Sequence, residues 1–282
     1  MNYRHAYHAG NFADVLKHTA LVAVLQHLGK KPTPFAVIDS HAGRGLYDLA
    51  SVEAGKTGEA EGGILKLKTM SPLPAALAAY VASVSQFGAQ NYPGSPVIAA
   101  RHLRERDRLI AIEKHEEEFL ALKQNLSSTR GARAVKNDGY RELEKLLPPP
   151  ERRGLVLIDP PFEEEDEFEI ATQALIAANR RFANGIYMFW YPAKNRGRLT
   201  RAIGELLNAN IAELLQIELD IGASIEDIPN DRGPPLTATG LLVINPPYGF
   251  TAAMREAVDY LATHLAQGPG AAASVEILAG EG

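Results

Sequence analysis

The stretch GLVLIDPPFEEEDEF, at residues 154–168, joins an apolar run to a rigid turn. The run ends at Asp159, two prolines and Phe162 follow, and an acidic segment comes next. A short apolar run bounded by turn residues is typical of a strand that is buried on both faces. A second stretch, GLLVINPPYGF at 240–250, has the same form with Asn245 in place of the acid. The two stretches predict two buried strands, each ending in a polar side chain, Pro-Pro and an aromatic ring.

Strand patterns alternate with helix patterns along the rest of the chain. Further strands are predicted at 34–39, 108–113, 132–137, 185–191 and 214–220, and helices at 116–126, 140–147, 167–180, 196–208 and 251–265. This alternation predicts an α/β fold built from βαβ units, with a largely parallel sheet and helices on both faces. Residues 11–29 read as an amphipathic helix, and the pattern leaves the place of 273–279 open.

One interval is too long for a simple crossover. About 70 residues separate the first two strands, whereas a βαβ crossover needs far fewer. Much of this interval is rich in alanine and helical in pattern. We therefore predict one domain over 1–282, with a small helical insertion at 46–92.

Composition excludes several kinds of site. The 282 residues include no cysteine, which rules out disulfides, thiolate nucleophiles and cysteine-based metal sites. No His, Asp and Glu spacing suggests a metal site, and no signal peptide or membrane-spanning run is visible, so we expect a cytoplasmic protein without a metal. The net charge is −5, but basic residues cluster at 101–108 and 194–201, which could contact nucleic acid or form solvated helix faces.

Polar or glycine residues follow the first three predicted strands. Gly43 and Gly45 follow the first strand, but they match neither the dinucleotide fingerprint nor the P-loop, so neither NAD nor ATP is indicated. Glu113 ends the second strand, where an acid can bind ribose hydroxyls or merely open the next helix. Asp138 and Gly139 follow the third, where they could meet an adenine edge or cap a helix. Together they outline a pocket for a nucleoside without phosphates, of which S-adenosylmethionine is the obvious example.

The Asp-Pro-Pro-Phe tetrapeptide suits methylation of an exocyclic adenine amine. That nitrogen is a poor nucleophile because its lone pair is delocalised into the ring. The Asp159 side chain and the Pro160 carbonyl can accept hydrogen bonds from the amine, and the two prolines hold these acceptors in place. The Phe162 ring can stack on the base. Asp159 could also take up the released proton.

Strand order favours the first of the two tetrapeptides. The strand before Asp159 is the fourth, which lies beside the first in this type of sheet, so Asp159 should face the methyl donor. Asn245 ends the seventh strand, which pairs antiparallel in a methyltransferase-like sheet. Its end should therefore lie at the opposite rim, and we interpret Asn245 as part of a structural loop.

Several motifs together resemble one family. They are YRHAYHAGNFADVLKHT at the N-terminus, DSHAGRG, YPGSP, NDGY, RRGLVLIDPPFE and FWYP. Across essentially the whole chain, these are similar to the RlmJ family, which methylates N6 of a specific adenine in bacterial 23S ribosomal RNA. The resemblance implies a Rossmann-like class I methyltransferase fold with a seven-stranded, mostly parallel sheet, and S-adenosylmethionine as the methyl donor.

The resemblance also implies roles for individual residues. Those expected to contact the donor are His18, His41, Gly43, Ser95, Glu113, Asp138, Gly139 and Asp159, while Asp159, Pro160 and Phe162 form the catalytic segment, and Tyr3, Lys17 and Phe162 contact the substrate. The family commonly has tyrosine where this chain has Phe162, a change that keeps stacking and removes a hydroxyl.

Three hypotheses remain distinct at this point. The favoured one is a monomeric methyltransferase acting on adenine N6 of 23S ribosomal RNA. The second is a DNA amino-methyltransferase, although 46–92 is short for a target-recognition domain. The third is a protein that binds the donor or RNA without turnover, which Asp159 argues against. The segment 222–235 could hold RNA or simply connect two strands.

Overall fold

The computed structural model describes residues 5–223 and 236–280, and its main feature is a sheet of eight strands. The strands of this sheet are β1 (Ala36–Asp39), β4 (Arg108–Glu113), β5 (Ala132–Lys136), β6 (Gly154–Ile158), β7 (Ile186–Pro192), β8 (Leu214–Asp220), β9 (Ala238–Ile244) and β10 (Ala272–Ala279). Across the sheet the order is β10-β8-β9-β7-β6-β1-β4-β5. Two short strands, β2 (Leu46–Asp48) and β3 (Asn91–Pro93), form a separate antiparallel ribbon.

The strand directions confirm the predicted α/β class. Strands β5, β4, β1, β6 and β7 run parallel, and β9 lies antiparallel between β7 and β8. The fourth predicted strand, β6, therefore lies beside the first, and the seventh runs in the opposite direction, as in class I methyltransferases. The expected count of seven strands is wrong. Strand β10 adds an eighth by pairing antiparallel with β8 at the sheet edge, and its partial exposure is typical of an edge strand.

Helices cover both faces of the sheet. They are α1 (Phe12–Gly29), α2 (Val52–Thr57), α3 (Glu59–Gly62), α4 (Ile64–Lys68), α5 (Ala75–Ser85), α6 (Ser95–His102), α7 (Glu116–Leu126), α8 (Gly139–Leu146), α9 (Glu167–Arg181), α10 (Arg196–Asn208) and α11 (Phe250–His264), after a 3-10 turn at His5–Tyr7. Helices α8, α9 and α10 share one apolar core, and α1, α5, α6, α7 and α11 share the other. Within the described ranges, none of these helices is both long and apolar enough to cross a membrane.

Helix α1 is not amphipathic, contrary to the sequence prediction. Its first ten residues are all buried, including the charged Asp14 and Lys17. The helix packs against α5, α6 and α11 and against strand β9, and only its last two turns include exposed residues, Gln26 and Gly29. An amphipathic helix would place its polar residues on a solvent face, but Asp14, Lys17 and His18 are enclosed and lie against one another.

The segment 46–92 forms helices α2 to α5 between the two strands of the β2–β3 ribbon. Its apolar side chains join the core that contains α1, and Ile64, Leu67, Leu77 and Tyr80 are all fully buried. Helix α5 packs along α1. The separation of the chain into one domain and an insertion stays a prediction, but the packing shows that this segment shares its core with α1.

Two glycines, one in strand β6 and one in helix α10, lead to opposite predictions for substitution by alanine. In the register of β1 and β6, a Cβ on Gly154 would lie 2.1 Å from the Ala36 carbonyl oxygen, whereas a Cβ on Gly204 in α10 would meet nothing within 4 Å. We expect Gly154→Ala to lower the free energy of unfolding by about 3 kcal/mol. Gly204→Ala should raise it by up to about 1 kcal/mol, because alanine is the better helix former. Urea unfolding of both variants checks this, and a neutral Gly154→Ala would contradict the register.

Candidate active site

The candidate site lies where β1, β4, β5 and β6 end. These four strands are parallel neighbours, so their carboxyl ends share one edge of the sheet. Ligands bind at this edge in open α/β sheets. Asp39, Glu113, Asp138 and Asp159 all stand at or just beyond these strand ends.

The glycine loop after β1 is fastened to the end of β4. Gly43 and Gly45 have φ angles of 59° and 83°, in the left-handed region that favours glycine. The Gly43 amide donates to Glu113 Oε2 at 3.0 Å, and the His115 amide donates to Glu113 Oε1 at 2.7 Å. Burial raises the pKa of Glu113. Because a carboxylate has about four acceptor positions, Glu113 can accept two more hydrogen bonds.

The loop after β5 approaches the loop after β1 very closely. A Cβ on Gly139 would lie 2.0 Å from the Ser40 carbonyl oxygen, so this position requires glycine. Asp138 caps helix α8, because its side chain accepts from the Arg141 amide at 3.3 Å. Its other oxygen lies 3.3 Å from Lys114 Nζ. The capping role considered for Asp138 is therefore present, and it leaves the residue at the sheet edge.

His41 lies next to the close contact between Gly139 and Ser40. Its ring meets the Tyr140 ring at a centroid distance of 4.7 Å in an edge-on arrangement, and its Nδ1 lies 2.8 Å from Ser40 Oγ. His41 and Gly139, predicted separately from the sequence, are thus brought together at one wall of the candidate pocket.

Ser95 and Asp39 form a buried pair beside that wall. Ser95, in the first turn of α6, donates to Asp39 Oδ2 at 2.7 Å. The other oxygen, Asp39 Oδ1, is buried and has no hydrogen-bond partner among the described residues. Burial raises the pKa of Asp39 to about 7, and the charge of Asp159 adds to this effect, although the Ser95 hydrogen bond opposes it.

Asp159 is held by Lys17 from helix α1. The Lys17 ammonium lies 2.6 Å from Asp159 Oδ2 and 2.9 Å from Asp14 Oδ1, and the Lys17 side chain is only 5% exposed. Burial favours the neutral amine, but the two carboxylates outweigh it and raise the pKa of Lys17. The Gly10 amide also donates to Asp14, at 2.9 Å, which fixes the start of α1.

Phe162 has a backbone conformation that is unusual for an aromatic residue. Its φ angle is 51°, in the left-handed region. Its ring packs against the rings of Phe168, Phe189 and Trp190, with centroid distances of 4.8, 6.2 and 5.8 Å. Pro160, two residues earlier, is buried. The aromatic neighbours therefore fix the direction of the Phe162 ring, which remains partly exposed.

The second tetrapeptide lies at the opposite edge of the sheet. Asn245 Nδ2 donates to the carbonyl oxygens of Ala183 and Gly185, at 2.8 and 2.7 Å, just before β7 begins. Asn245 itself has a φ of 54°, and Tyr248 is 99% exposed. The Asn245 side chain links two loops here, and the residue lies at the rim that strand order predicts.

The basic segment 101–108 also lies away from the candidate site. It leads into the amino end of β4, the edge opposite Asp159. Arg104 binds Asp107 at 2.7 Å, and Arg108 binds Glu151 at 2.5 Å. Arg104 and Arg108 form ion pairs at this rim, so a contact of the segment with RNA phosphates stays a prediction. The segment 194–201 does follow the carboxyl end of β7, on the same edge as Asp159.

Two sequence predictions concern residues outside the described ranges. They are Tyr3 and the segment 222–235, of which only residues 222 and 223 are described. His18 is described and stands beside Lys17 on α1. Its Nδ1 lies 2.6 Å from the Tyr92 hydroxyl, and its buried Nε2 has no hydrogen-bond partner in the described chain.

Sequence reasoning missed four residues that the structure places at this site. Asp39 ends β1, so the strand-end rule that identified Glu113 could have found it. Asp14 is three residues before Lys17, a spacing that pairs side chains along a helix. Tyr92 and Trp190 lie in the motifs YPGSP and FWYP, but these motifs do not reveal their partners, which lie far away in the chain. Trp190 Nε1 is buried and without an acceptor among the described residues.

The chemistry of these groups fits S-adenosylmethionine. Glu113 offers acceptors suited to ribose hydroxyls, and Asp39 Oδ1 is an unpaired acceptor suited to a cationic group. His18 Nε2 is an unpaired nitrogen that could bind a polar atom. Across residues 5–223 and 236–280, no group of three or more His, Cys, Asp or Glu side chains is arranged to hold a metal ion.

Comparison with known proteins shows strong similarity to one family. The model of the family described as "Ribosomal RNA large subunit methyltransferase D, RlmJ" matches residues 32–278. Ribosomal RNA large subunit methyltransferase J of Escherichia coli K12 is 39% identical over 269 residues, covering 94% of each chain. The Haemophilus influenzae protein of the same name is 38% identical over 266 residues, covering 93% of this chain and 92% of that one.

The fold is also similar to that of a crystallised protein. A structure from Legionella pneumophila has 33% sequence identity and a TM-score of 0.86, and the alignment covers 97% of this chain and 99% of that one. The fold of this chain is therefore matched over nearly its whole length.

The raised pKa of Asp39 predicts a pH dependence of stability. The pKa of the Asp39 carboxyl is about 7 in the folded protein, against a usual value of 3.8 in an exposed carboxyl. Between these two pH values, the folded state therefore binds more protons than the unfolded state. Stability should therefore fall as pH rises through this window. Asp39→Asn should remove that loss and be relatively more stable at pH 8 than at pH 5, as measured by urea unfolding.

Asp107→Asn is the control for this prediction. Asp107 is also buried, but Arg104 outweighs the effect of burial and lowers its pKa. Its removal should destabilise the protein at neutral pH, and the difference should start to shrink as pH falls below about 4 and disappear only below the lowered pKa of Asp107. An Asp39→Asn variant that followed the wild-type pH profile would contradict the assignment.

Proposed function

The chain belongs to the RlmJ family of ribosomal RNA large subunit methyltransferases, and on this premise we propose that it methylates N6 of an adenine in 23S ribosomal RNA, with S-adenosylmethionine as the donor. The observation that carries the choice of atom is the placement of Asp159. It stands at the carboxyl end of β6, beside β1 and its glycine loop, with one oxygen held by Lys17. As a ribosomal RNA enzyme, the protein is proposed to act in the cytoplasm, as a monomer.

The donor would be held along the ends of β1, β4 and β5. When bound, S-adenosylmethionine supplies an electrophilic methyl group on a positively charged sulfur. We assign the ribose hydroxyls to Glu113 and the adenine edge to Asp138 and Gly139, because these residues follow β4 and β5 at the ligand-binding edge of the sheet. The rest of the donor pocket would be lined by Gly43, His41, Ser95, His18 and Asp159. The close approach at Gly139 supports this assignment, because any larger residue would push the two loops apart.

Asp159 and Pro160 would prepare the acceptor amine. An adenine N6 is planar, and its lone pair becomes available only as the nitrogen turns tetrahedral. Hydrogen bonds from the amine to the Asp159 carboxylate and the Pro160 carbonyl favour that change. Lys17 occupies Asp159 Oδ2, so Oδ1 is the oxygen left to receive the amine hydrogen. The same carboxylate can accept the proton that the product nitrogen loses.

Phe162 would hold the base against these acceptors. Its ring is backed by Phe168, Phe189 and Trp190, so stacking on a base requires no reorganisation. The target adenine must leave its RNA stack to reach this position. We propose that Tyr3 contacts the extruded nucleoside and that basic side chains in 194–201 meet the neighbouring phosphates.

Methyl transfer to RNA tests the proposal directly. With labelled S-adenosylmethionine and unmodified 23S ribosomal RNA, Asp159→Ala should lose about a hundredfold or more of the rate, because it removes both acceptor and base. The matched control is Asn245→Ala, which should keep the rate and lose only stability. Label should appear as N6-methyladenosine.

Other outcomes of the same assay separate the rival functions. Label in duplex or single-stranded DNA alone would favour a DNA amino-methyltransferase. Donor binding without transfer to any nucleic acid would favour a binding protein. An inactive Asn245→Ala variant that remained folded would overturn the choice of tetrapeptide. An Asp159→Asn variant with the full rate would show that the carboxylate takes up no proton.

Substitution of Phe162 tests the stacking role. Phe162→Tyr keeps the ring and should retain most activity, whereas Phe162→Ala should lower kcat/KM for RNA about tenfold to a hundredfold, the size expected for losing a base stack. Donor affinity should be unchanged in both. If Phe162→Ala weakened donor binding and RNA use equally, the ring would serve the donor pocket rather than the base.

A further inference from the structure

A chain of buried polar groups connects the 46–92 segment to the donor pocket. His18 Nδ1 lies 2.6 Å from the Tyr92 hydroxyl, which lies 2.9 Å from the Tyr80 hydroxyl. His18 is 1% exposed, and both tyrosines are completely buried. Tyr80 belongs to α5 and Tyr92 to β3, so both are remote in sequence from the helix that carries His18.

Hydrogen-bond accounting fixes the direction of this chain. Within the described residues, the Tyr80 hydroxyl has Tyr92 as its one partner, so it must donate its proton there to avoid burying an unpaired O–H. Tyr92 then has one proton left, which it donates to His18 Nδ1. A neutral imidazole whose Nδ1 accepts carries its own proton on Nε2. The reverse direction would leave the Tyr80 proton buried without an acceptor.

The Nε2 proton has no acceptor of its own in the described chain. The Asp14 Oδ1 atom is 3.9 Å from Nε2, too far for a hydrogen bond. Burial lowers the pKa of His18 to about 3, with Lys17 and His5 adding to the effect and Asp14 opposing it, so the ring stays neutral. The result is a neutral, fully enclosed N–H donor beside Lys17 that lacks a partner.

We propose that Tyr92 and Tyr80 are positioning residues that fix His18 as the Nε2-protonated tautomer, so that this nitrogen donates to the carboxylate of the methyl donor. The carboxylate is chosen because it is the strongest acceptor in S-adenosylmethionine. The ribose hydroxyls need an acceptor, and Glu113 supplies one. This inference rests on the proposed function, since it requires that the donor bind at this site.

The 46–92 segment thereby acquires a role in donor binding that is separate from RNA recognition. The segment supplies Tyr80, and Tyr92 follows at its end, so together they form the far side of the pocket. Strand β3 brings the Tyr92 hydroxyl to His18, and helix α5, which packs against α1, brings the Tyr80 hydroxyl to Tyr92.

The main test is Tyr92→Phe, with binding of S-adenosylhomocysteine measured by calorimetry. We expect affinity to fall roughly fivefold to tenfold, the size of one misdirected hydrogen bond. KM for S-adenosylmethionine should rise in step, while kcat at saturating donor stays near wild type. The control is Tyr187→Phe, which removes an equally buried hydroxyl that donates to the Ala178 and Phe182 carbonyls in the other core. It should cost stability without changing donor affinity.

A double variant separates a loss of protein stability from a loss of His18 positioning. Tyr92→Phe leaves the Tyr80 hydroxyl without an acceptor, whereas the double variant Tyr80→Phe/Tyr92→Phe removes both hydroxyls. The double variant should recover much of the lost stability and still bind S-adenosylhomocysteine weakly. Recovery of affinity together with stability would overturn the positioning role.

Two further readouts address the atoms directly. Nitrogen NMR of the wild-type protein, with the His18 signals identified by their loss in His18→Gln, should show an unprotonated Nδ1 and a protonated Nε2. 5′-Methylthioadenosine lacks the carboxylate, so Tyr92→Phe and wild type should bind it equally. A proton on Nδ1, or an equal loss with both ligands, would overturn the inference. Failure of the wild type to bind S-adenosylhomocysteine would instead overturn the proposed function.

Discussion

The buried ammonium of Lys17 is the interaction on which the candidate site depends. An unpaired charge in a protein interior is very costly, so Lys17 can be enclosed only between Asp14 and Asp159, at 2.9 and 2.6 Å. This requirement holds the start of α1 against the end of β6, although 142 residues separate Lys17 from Asp159. The Asp-Pro-Pro-Phe segment and the helix are therefore held together, and the candidate site is assembled across the fold rather than within one loop.

The same constraint explains why α1 is enclosed. A helix with an exposed face would let water reach the Lys17 ion pairs and weaken them. Helix α5 packs against α1, and Tyr92 of the β2–β3 ribbon contacts His18, with Tyr80 of α5 hydrogen-bonded to Tyr92. Asp39 is buried nearby, and burial raises its pKa to about 7, while its Oδ1 has no hydrogen-bond partner among the described residues.

The sheet was predictable from sequence because its strands are apolar runs that end at turn residues. Strands β4 and β8 and helices α7 and α10 lie at the predicted positions, and strand order alone separated Asp159 from Asn245. Strand β10 could not be placed, because an edge strand lacks a continuous buried pattern. The enclosure of α1 was missed for a related reason. Charged residues at helical spacing normally indicate a solvent face, and only the tertiary neighbours show that these pair inside the core.

The two similar tetrapeptides carry a lesson about local sequence. In the first, the chain enters the left-handed region at Phe162, after the prolines, and the ring turns inward; in the second it does so at Asn245, before them, and Tyr248 turns fully outward. Four residues of nearly the same chemistry thus adopt different shapes, imposed by the strands and loops that flank them. Transplanting Asp-Pro-Pro-Phe into another scaffold would transfer an acid, two prolines and a ring, but not the order in which they face a substrate.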